Sequence, residues 1–176
     1  MPSYQRLGDV PKKRHIMLKR DPASIYKGEG ICYEHVITTE GFDRAYSIRY
    51  HLRPPTRVKD VKIAGHMPLQ RTEELPLRVH HLKSAQMPRA GDALSGRVPL
   101  FFNEDMACYR CKPAEALATL YRNAGADEVV YIYAGGGVLE TPYGRQPYRE
   151  GDYVVIPRGT TYILKPKDAQ KEDYLI

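Results

Sequence analysis

Two spacings of glycine and proline between Asp127 and Tyr162 constrain this 176-residue chain more than any other feature. The first runs from Glu128 over six residues to Gly135. The second runs from Gly151 over five residues to Pro157, then through Arg158, Gly159 and two threonines to Tyr162. The runs between these turn residues, VVYIY, VLET and YVVIP, are β-branched and aromatic, and short runs of that kind bounded by turn signals read as strands. Gly135, Gly136 and Gly137 have strand-like residues on both sides, so they read as a turn between antiparallel strands, where glycine supplies positive φ. A phosphate loop would need a helix after it and a Lys-Ser/Thr pair. Thr141-Pro142-Tyr143-Gly144 has proline pre-set at the second position of a four-residue turn. Arg149 to Asp152 turns the chain again, into YVVIP, which reads as a buried strand.

These spacings resemble the two strand-turn-strand motifs of the cupins, G-x5-H-x-H-x(3,4)-E-x6-G and G-x5-P-x-G-x2-H-x3-N. The implied fold is all-β, a cupin-type double-stranded β-helix or jelly roll with additional N-terminal strands. In that pattern the metal-binding histidines fall at Arg122 and Ala124, or at Tyr121 and Asn123 in the longer register, and at Tyr162; none is histidine. A divalent iron or zinc needs three or four lone-pair donors at about 2 Å. Glu128 alone cannot supply them. The cup positions Tyr121, Asn123, Glu128 and Tyr162 are therefore expected to be degenerate, with no catalytic, cofactor-binding or metal-binding residue in this chain. A buried carboxylate still needs partners, and Tyr162, Arg122 or backbone donors are the expected ones for Glu128.

Beyond the spacing, Tyr121-Arg122-Asn123-Ala124, Asp127-Glu128-Val129, Leu139-Glu140-Thr141 and YREGDYVVIPRGT look like the N-terminal half of bacterial homogentisate 1,2-dioxygenases. Two earlier blocks agree in order: Tyr4-x-Arg6-Leu7-Gly8-x-x-Pro11-x-Lys13-Arg14-His15, and Thr39-Glu40-Gly41-Phe42 followed by Tyr50-His51-Leu52-Arg53-Pro54-Pro55-Thr56. The resemblance implies an Fe(II) and O2 ring-cleaving enzyme of tyrosine and phenylalanine catabolism that acts on a small aromatic acid. It also implies two cupin halves, with the iron in the C-terminal half outside this chain, and a trimer-based homo-oligomer. On this reading the chain is truncated: Glu172-Asp173-Tyr174-Leu175-Ile176 looks like the start of a strand with no partner, and domains usually end in polar segments. An unpaired edge there would promote self-association.

Composition narrows the remaining classes. Fourteen tyrosines, fourteen prolines and fourteen glycines against three phenylalanines and no tryptophan favour strands and turns over long helices. No apolar run approaches the roughly 20 residues of a membrane span, and the first residues lack the apolar core of a secretory signal; a cytoplasmic protein is expected. The net charge is +6, concentrated in residues 1–30, where seven basic residues face three acidic ones. That arm has only Tyr4 and Tyr26 for stacking and no groove-reading helix, which argues against nucleic-acid binding. Packing on an acidic neighbour or steering of an anionic substrate fits it better.

Cys108 and Cys111 are spaced as a CxxC pair, but no histidine follows His81 to complete a zinc site, and MACYRC reads as an alternating strand that puts the two thiols on opposite faces. They are expected to be packing residues. His80 and His81, near Glu73 and Glu74, would point to opposite faces of a strand and so could not share one metal. A role for His51 at a contact with another half or subunit is left open.

The expected layout is a basic arm over residues 1–30, extended strands and loops over 31–98 and a degenerate cupin barrel over 99–176. CYEHVIT and AYSIRYHL are separated by a turn near Gly41, LRVHHLK is a strand candidate, and Pro113 to Ala118 forms one helical turn. Three functions stay open: the non-metal half of a dioxygenase, a stand-alone metal-free cupin that binds a small organic acid or serves as an assembly surface, and a cupin isomerase using Glu128 and Tyr162 as acid and base.

Overall fold

The computed structural model describes residues 33–38, 46–51, 57–63, 65, 69 and 79–176. The chain divides into two compact units, residues 11–66 and residues 1–10 with 67–176. In the first, β1 (Tyr33–Ile37) pairs antiparallel with β2 (Ser47–His51), with Tyr33 opposite His51 and Ile37 opposite Ser47. These are the two strands expected from CYEHVIT and AYSIRYHL; the turn at Gly41, the prolines after His51 and the basic arm lie outside the described residues. On the hairpin, His35 Nδ1 and His51 Nε2 stand 3.3 Å apart.

The second unit holds the barrel. Its strands are β3 (Arg97–Phe102), β4 (Ala107–Cys111), β5 (Tyr121–Arg122), β6 (Glu128–Ala134), β7 (Gly136–Thr141), β8 (Gly144–Arg149), β9 (Tyr153–Ile156), β10 (Thr161–Pro166) and β11 (Asp173–Leu175). They form two antiparallel sheets, ordered β5-β10-β7-β8 and β3-β4-β11-β6-β9. The chain therefore crosses between sheets repeatedly, which is the cupin-type jelly roll expected from the sequence. Period-two alternation fills it. Val130 and Ile132 of β6, Val154 and Ile156 of β9, Leu139, Tyr148, Tyr162, Leu164 and Tyr174 all point inward and are buried, each large apolar side chain contributing about 1.5–3 kcal/mol of burial.

The outward faces differ. Across the five-stranded sheet one row reads Val98, Arg110, Leu175, Tyr131, Tyr153. On the four-stranded sheet Glu140 stands between Arg145 at 3.0 Å and Lys165 at 2.6 Å.

Five expectations are corrected here. The three glycines do not join two paired strands: β6 and β7 belong to different sheets, and Gly136 and Gly137 are part of β7. Their requirement is closeness as much as conformation, because a Cβ on Gly137 would lie 2.3 Å from the Lys165 carbonyl oxygen. Pro113 to Ala118 makes no helical turn; the amides of Ala114 and Glu115 both donate to the Gly91 carbonyl instead. Val79 to Lys83 is irregular, with Val79 fully exposed, so LRVHHLK does not form a strand there. YVVIP is buried on one face only, since Tyr153 and Val155 are exposed.

The largest correction concerns the final residues. β11 is inserted between β4 and β6, with Tyr174 opposite both Cys111 and Ile132, and Ile176 exchanges both backbone hydrogen bonds with Tyr109 at 2.7 and 2.9 Å. The segment read as an unpaired edge is an interior strand. The Thr141–Gly144 turn does form as expected, its Thr141 Oγ1 accepting from the Tyr143 amide at 3.0 Å.

Candidate functional site

The cup is built from four strand ends. β6 begins with Glu128, β10 carries Tyr162 as its second residue, β5 brings Tyr121, and β3 begins with Arg97. A tight turn delivers Arg97. Asp92 Oδ1 accepts from the amides of Leu94 and Ser95 and from the Ser95 hydroxyl, all within 2.9 Å, and the Gly96 amide donates to the Asp92 carbonyl at 2.9 Å. A Cβ on Gly96 would sit 2.2 Å from the Ala90 carbonyl oxygen, so only glycine fits there.

Inside the cup the polar groups close on one another. Arg97 Nη1 donates to Glu128 Oε1 at 2.5 Å, Arg97 Nη2 to the Tyr162 hydroxyl at 3.2 Å, and the Tyr162 hydroxyl to Glu128 Oε2 at 2.6 Å. Arg97 Nε is occupied by the Ala93 carbonyl at 2.9 Å. The ion pair is almost dry, its side chains 6% and 4% exposed. Tyr121 packs edge-on against Tyr162 with ring centroids 5.6 Å apart, and its ring lies 5.6 Å from the guanidinium carbon. Burial opposes the Arg97 charge, but Glu128 and Tyr162 outweigh it and hold the guanidinium above its ordinary range. Burial pushes the Tyr162 hydroxyl far above its ordinary value, and burial with the nearby Glu128 charge raises Tyr121.

Two partners named from sequence behave differently. Arg122 is exposed and does not reach Glu128; Arg97 does, from 31 residues earlier in the chain. Asn123 is a turn former: its Oδ1 accepts from the Gly125 and Ala126 amides at 2.9 and 3.1 Å. Ala124 is exposed. Arg97 escaped sequence reading because it lies ahead of every cupin motif position, the first ligand position being Tyr121 or Arg122. The available signal was Gly-Asp-x-x-Ser-Gly directly before an arginine that opens an apolar run, a capped turn feeding a strand.

This donor set does not fit a divalent iron or zinc. Tyr121, Arg122, Asn123, Ala124 and Tyr162 offer no imidazole, and both oxygens of the one carboxylate are already bound to a cation and a phenol. No cluster of three or more His, Cys, Asp and Glu side chains occurs among the described residues. Acid-base use of the cup is equally constrained, because a general base needs a lone pair within reach of substrate.

A cavity of about 740 Å³ adjoins the cup and is lined by Arg97, Glu128 and Tyr121, with Tyr109, Tyr131 and Tyr153 among its walls and Glu104, Asp105 and Asp127 among its polar groups. Asp127 also accepts from the Arg158 amide at 2.7 Å.

The cysteines pack as the sequence suggested. Cys111 is fully buried in the core with its thiol 3.6 Å from the Asp92 carbonyl, and burial pushes it up to about 11. Cys108 is half-buried, and burial raises it as well. His80 and His81 are exposed in an irregular segment, while Glu73 and Glu74 lie outside the described residues. No helix among the described residues is long and apolar enough to cross a membrane.

No family model matches the chain. A "putative dioxygenase" of Saccharolobus solfataricus is 34% identical over 165 residues, which cover 93% of this chain and 41% of that protein. The chain thus spans about two-fifths of the length of this curated relative. Among solved structures, a "putative mannose-6-phosphate isomerase" of Ralstonia eutropha aligns at 17% identity and TM-score 0.42, over 56% of this chain and 94% of that one. A cupin protein of Bacteroides fragilis aligns at 20% identity and TM-score 0.34, over 54% and 82%.

These findings overturn the likeness to homogentisate dioxygenases. The relative found across nearly the whole chain carries no such substrate in its description, and the apparent strand stub that suggested truncation is paired on both sides. The blocks that carried the likeness include the turns and strands the barrel itself requires: YREGDYVVIPRGT is β8's end, a glycine turn, β9 and the Pro157–Gly159 turn. What stands is a cupin-type barrel whose cup is closed by its own arginine, glutamate and tyrosine.

Proposed function

We propose that this barrel is the metal-free member of a dioxygenase-type cupin protein, a locked scaffold whose metal and O2 chemistry reside in a second barrel outside this chain. The observation that carries the reading is the Arg97–Glu128–Tyr162 closure, which commits the last ligand-type residue of the cup to a guanidinium. Similarity to a longer protein described as a dioxygenase supports the rest. The partner this requires is a barrel that carries its own imidazole and carboxylate ligands. A trimer-based oligomer belongs to the same reading.

The alternative of a free-standing binder of small organic acids finds less support in the cup. Arg97 is neutralised by Glu128, and the adjoining cavity carries Glu104, Asp105 and Asp127, which repel an anion. An isomerase using Glu128 and Tyr162 would first have to break their ion-paired network.

The test is anaerobic reconstitution of the 176-residue protein with Fe(II), followed by desalting and metal analysis. Iron well below one equivalent, no O2 uptake with dihydroxylated aromatic acids and an unfolding temperature indifferent to Fe(II) or chelator are expected. Stoichiometric iron that survives desalting and is lost in Glu128→Gln would overturn the reading.

A further inference from the structure

A second carboxylate–tyrosine cluster lies in the same barrel, around Glu172, with no cation among the described residues paired to its carboxyl. Glu172 is 1% exposed and stands immediately before β11. Its Oε1 accepts the Gly136 amide at 2.8 Å, across the β6–β7 crossover. Gly135 lies so close that a Cβ there would meet the carboxyl carbon at 2.5 Å. The Tyr174 hydroxyl couples to the carboxyl and is itself 3.2 Å from the Tyr148 hydroxyl, with Tyr148 and Tyr174 4% and 1% exposed. Oε2 is buried without a well-aligned donor.

The charged groups nearby do not fill that gap. Arg89 Nη1 is directed at the Glu172 and Pro113 carbonyls, at 2.7 and 3.1 Å. Asp168, which caps the short 3-10 turn Ala169–Lys171 ahead of Glu172, adds repulsion. A charged carboxylate in this position would be largely undischarged, which is costly in a dry interior. A neutral carboxyl fits better: it accepts from Gly136 through Oε1 and leaves no charge on the buried, unpartnered Oε2.

We propose that Glu172 is a proton-operated latch on β11: its neutral carboxyl lets the entry of the inserted strand pack against Gly135, Gly136 and the Tyr174–Tyr148 pair, and ionisation, by leaving an uncompensated buried charge on Oε2, loosens that packing. Burial, acting first, and Asp168 raise the carboxyl above its ordinary value, outweighing the Gly136, Tyr174 and Arg89 contributions. A raised acid contributes stability that is complete below its ordinary value of 4.5 and is lost as pH climbs through the raised one. The latch therefore loosens toward alkaline pH, opposite to the behaviour of an ion-paired carboxylate.

Glu172→Gln, an isostere of the neutral acid, tests this. Thermal unfolding of both proteins is followed from pH 5 to pH 9, with tryptic cleavage after the exposed Lys171 compared at each pH. The variant is expected to match or exceed the wild type, to pull further ahead as pH rises and to be cleaved severalfold more slowly at the alkaline end. A variant destabilised equally at every pH, or one whose disadvantage grows with pH, shows an ionised structural acceptor and overturns the latch. Should the variant fail to fold, carbon NMR of the wild type labelled at glutamate carboxyls decides. A buried carboxyl that titrates above the ordinary range supports the proposal, and its absence overturns it.

Discussion

The barrel contains two buried carboxylate–tyrosine clusters that differ by one guanidinium. At the cup, Glu128 meets Tyr162 and the charge of Arg97. At the start of β11, Glu172 lies beside Tyr174, which is bonded to Tyr148, while the Arg89 guanidinium donates to backbone carbonyls. The same acidic side chain is thus locked as an ion pair in one place and, in the other, buried with one oxygen unpartnered and its carboxyl held above the ordinary range by burial. What decides is where a strand happens to begin. Arg97 is the first residue of β3 and points into the barrel, so its charge is desolvated together with that of Glu128. A cup closed this way is stable only as a unit, since a buried charge deprived of its partner is worse than no charge at all.

The most direct way to break the comparison is to remove the cation. Arg97→Met is expected to cost about 3–5 kcal/mol by leaving Glu128 buried and unpaired, read by chemical denaturation. Adding Glu128→Leu should recover much of that loss. A single variant as stable as wild type would mean that the ion pair does not hold the cup.

Next in size is the tyrosine contrast. Tyr162→Phe removes a donor to a charged acceptor and should cost about 1.5–3 kcal/mol; Tyr148→Phe, which removes a neutral pair, should cost about 0.5–1.5 kcal/mol. Equal losses would erase the distinction between the clusters. Gly137→Ala, beside the Glu172 cluster, forces a methyl group against the Lys165 carbonyl and Pro166, and overpacking of this kind costs about 1–3 kcal/mol. Denaturation midpoints rank the three.

The smallest effect on stability gives a clear chemical readout. With its thiol at about 11, Cys111 is roughly one part in a thousand thiolate at pH 8. Alkylation at Cys111, followed by site-resolved mass spectrometry, should be negligible in the folded protein and rapid after denaturation. Fast labelling of native protein would show that the core beside Arg97 opens.

Much of the fold was legible in advance. Glu128–Gly135 and Gly151–Tyr162 spacings located β6, β9 and β10, and the β-branched and aromatic runs VVYIY and YVVIP marked them as strands, because turns need glycine or proline at fixed places and such runs suit a pleated surface. Tyr162 was one of three partners that the same register offered Glu128, beside Arg122 and backbone donors, and is the one of them that binds it. Less reliable were the reading of short blocks as a substrate-specific signature and the reading of the last residues as an edge. Nothing local to Glu172–Ile176 says that Tyr174 will lie opposite Cys111 of β4, 63 residues earlier, and Ile132 of β6, 42 residues earlier.

Sequence by itself therefore determined the strand-and-turn grammar of the barrel and the missing imidazoles of its cup, because period, turn chemistry and ligand identity are properties of neighbouring residues. Only the tertiary structure decided that Arg97 reaches Glu128, that Glu172 is buried beside Gly136 with one oxygen unpartnered and that β11 lies inside the sheet. Those outcomes depend on which strands cross from one sheet to the other, and on the dry environment that the crossing creates around each charge.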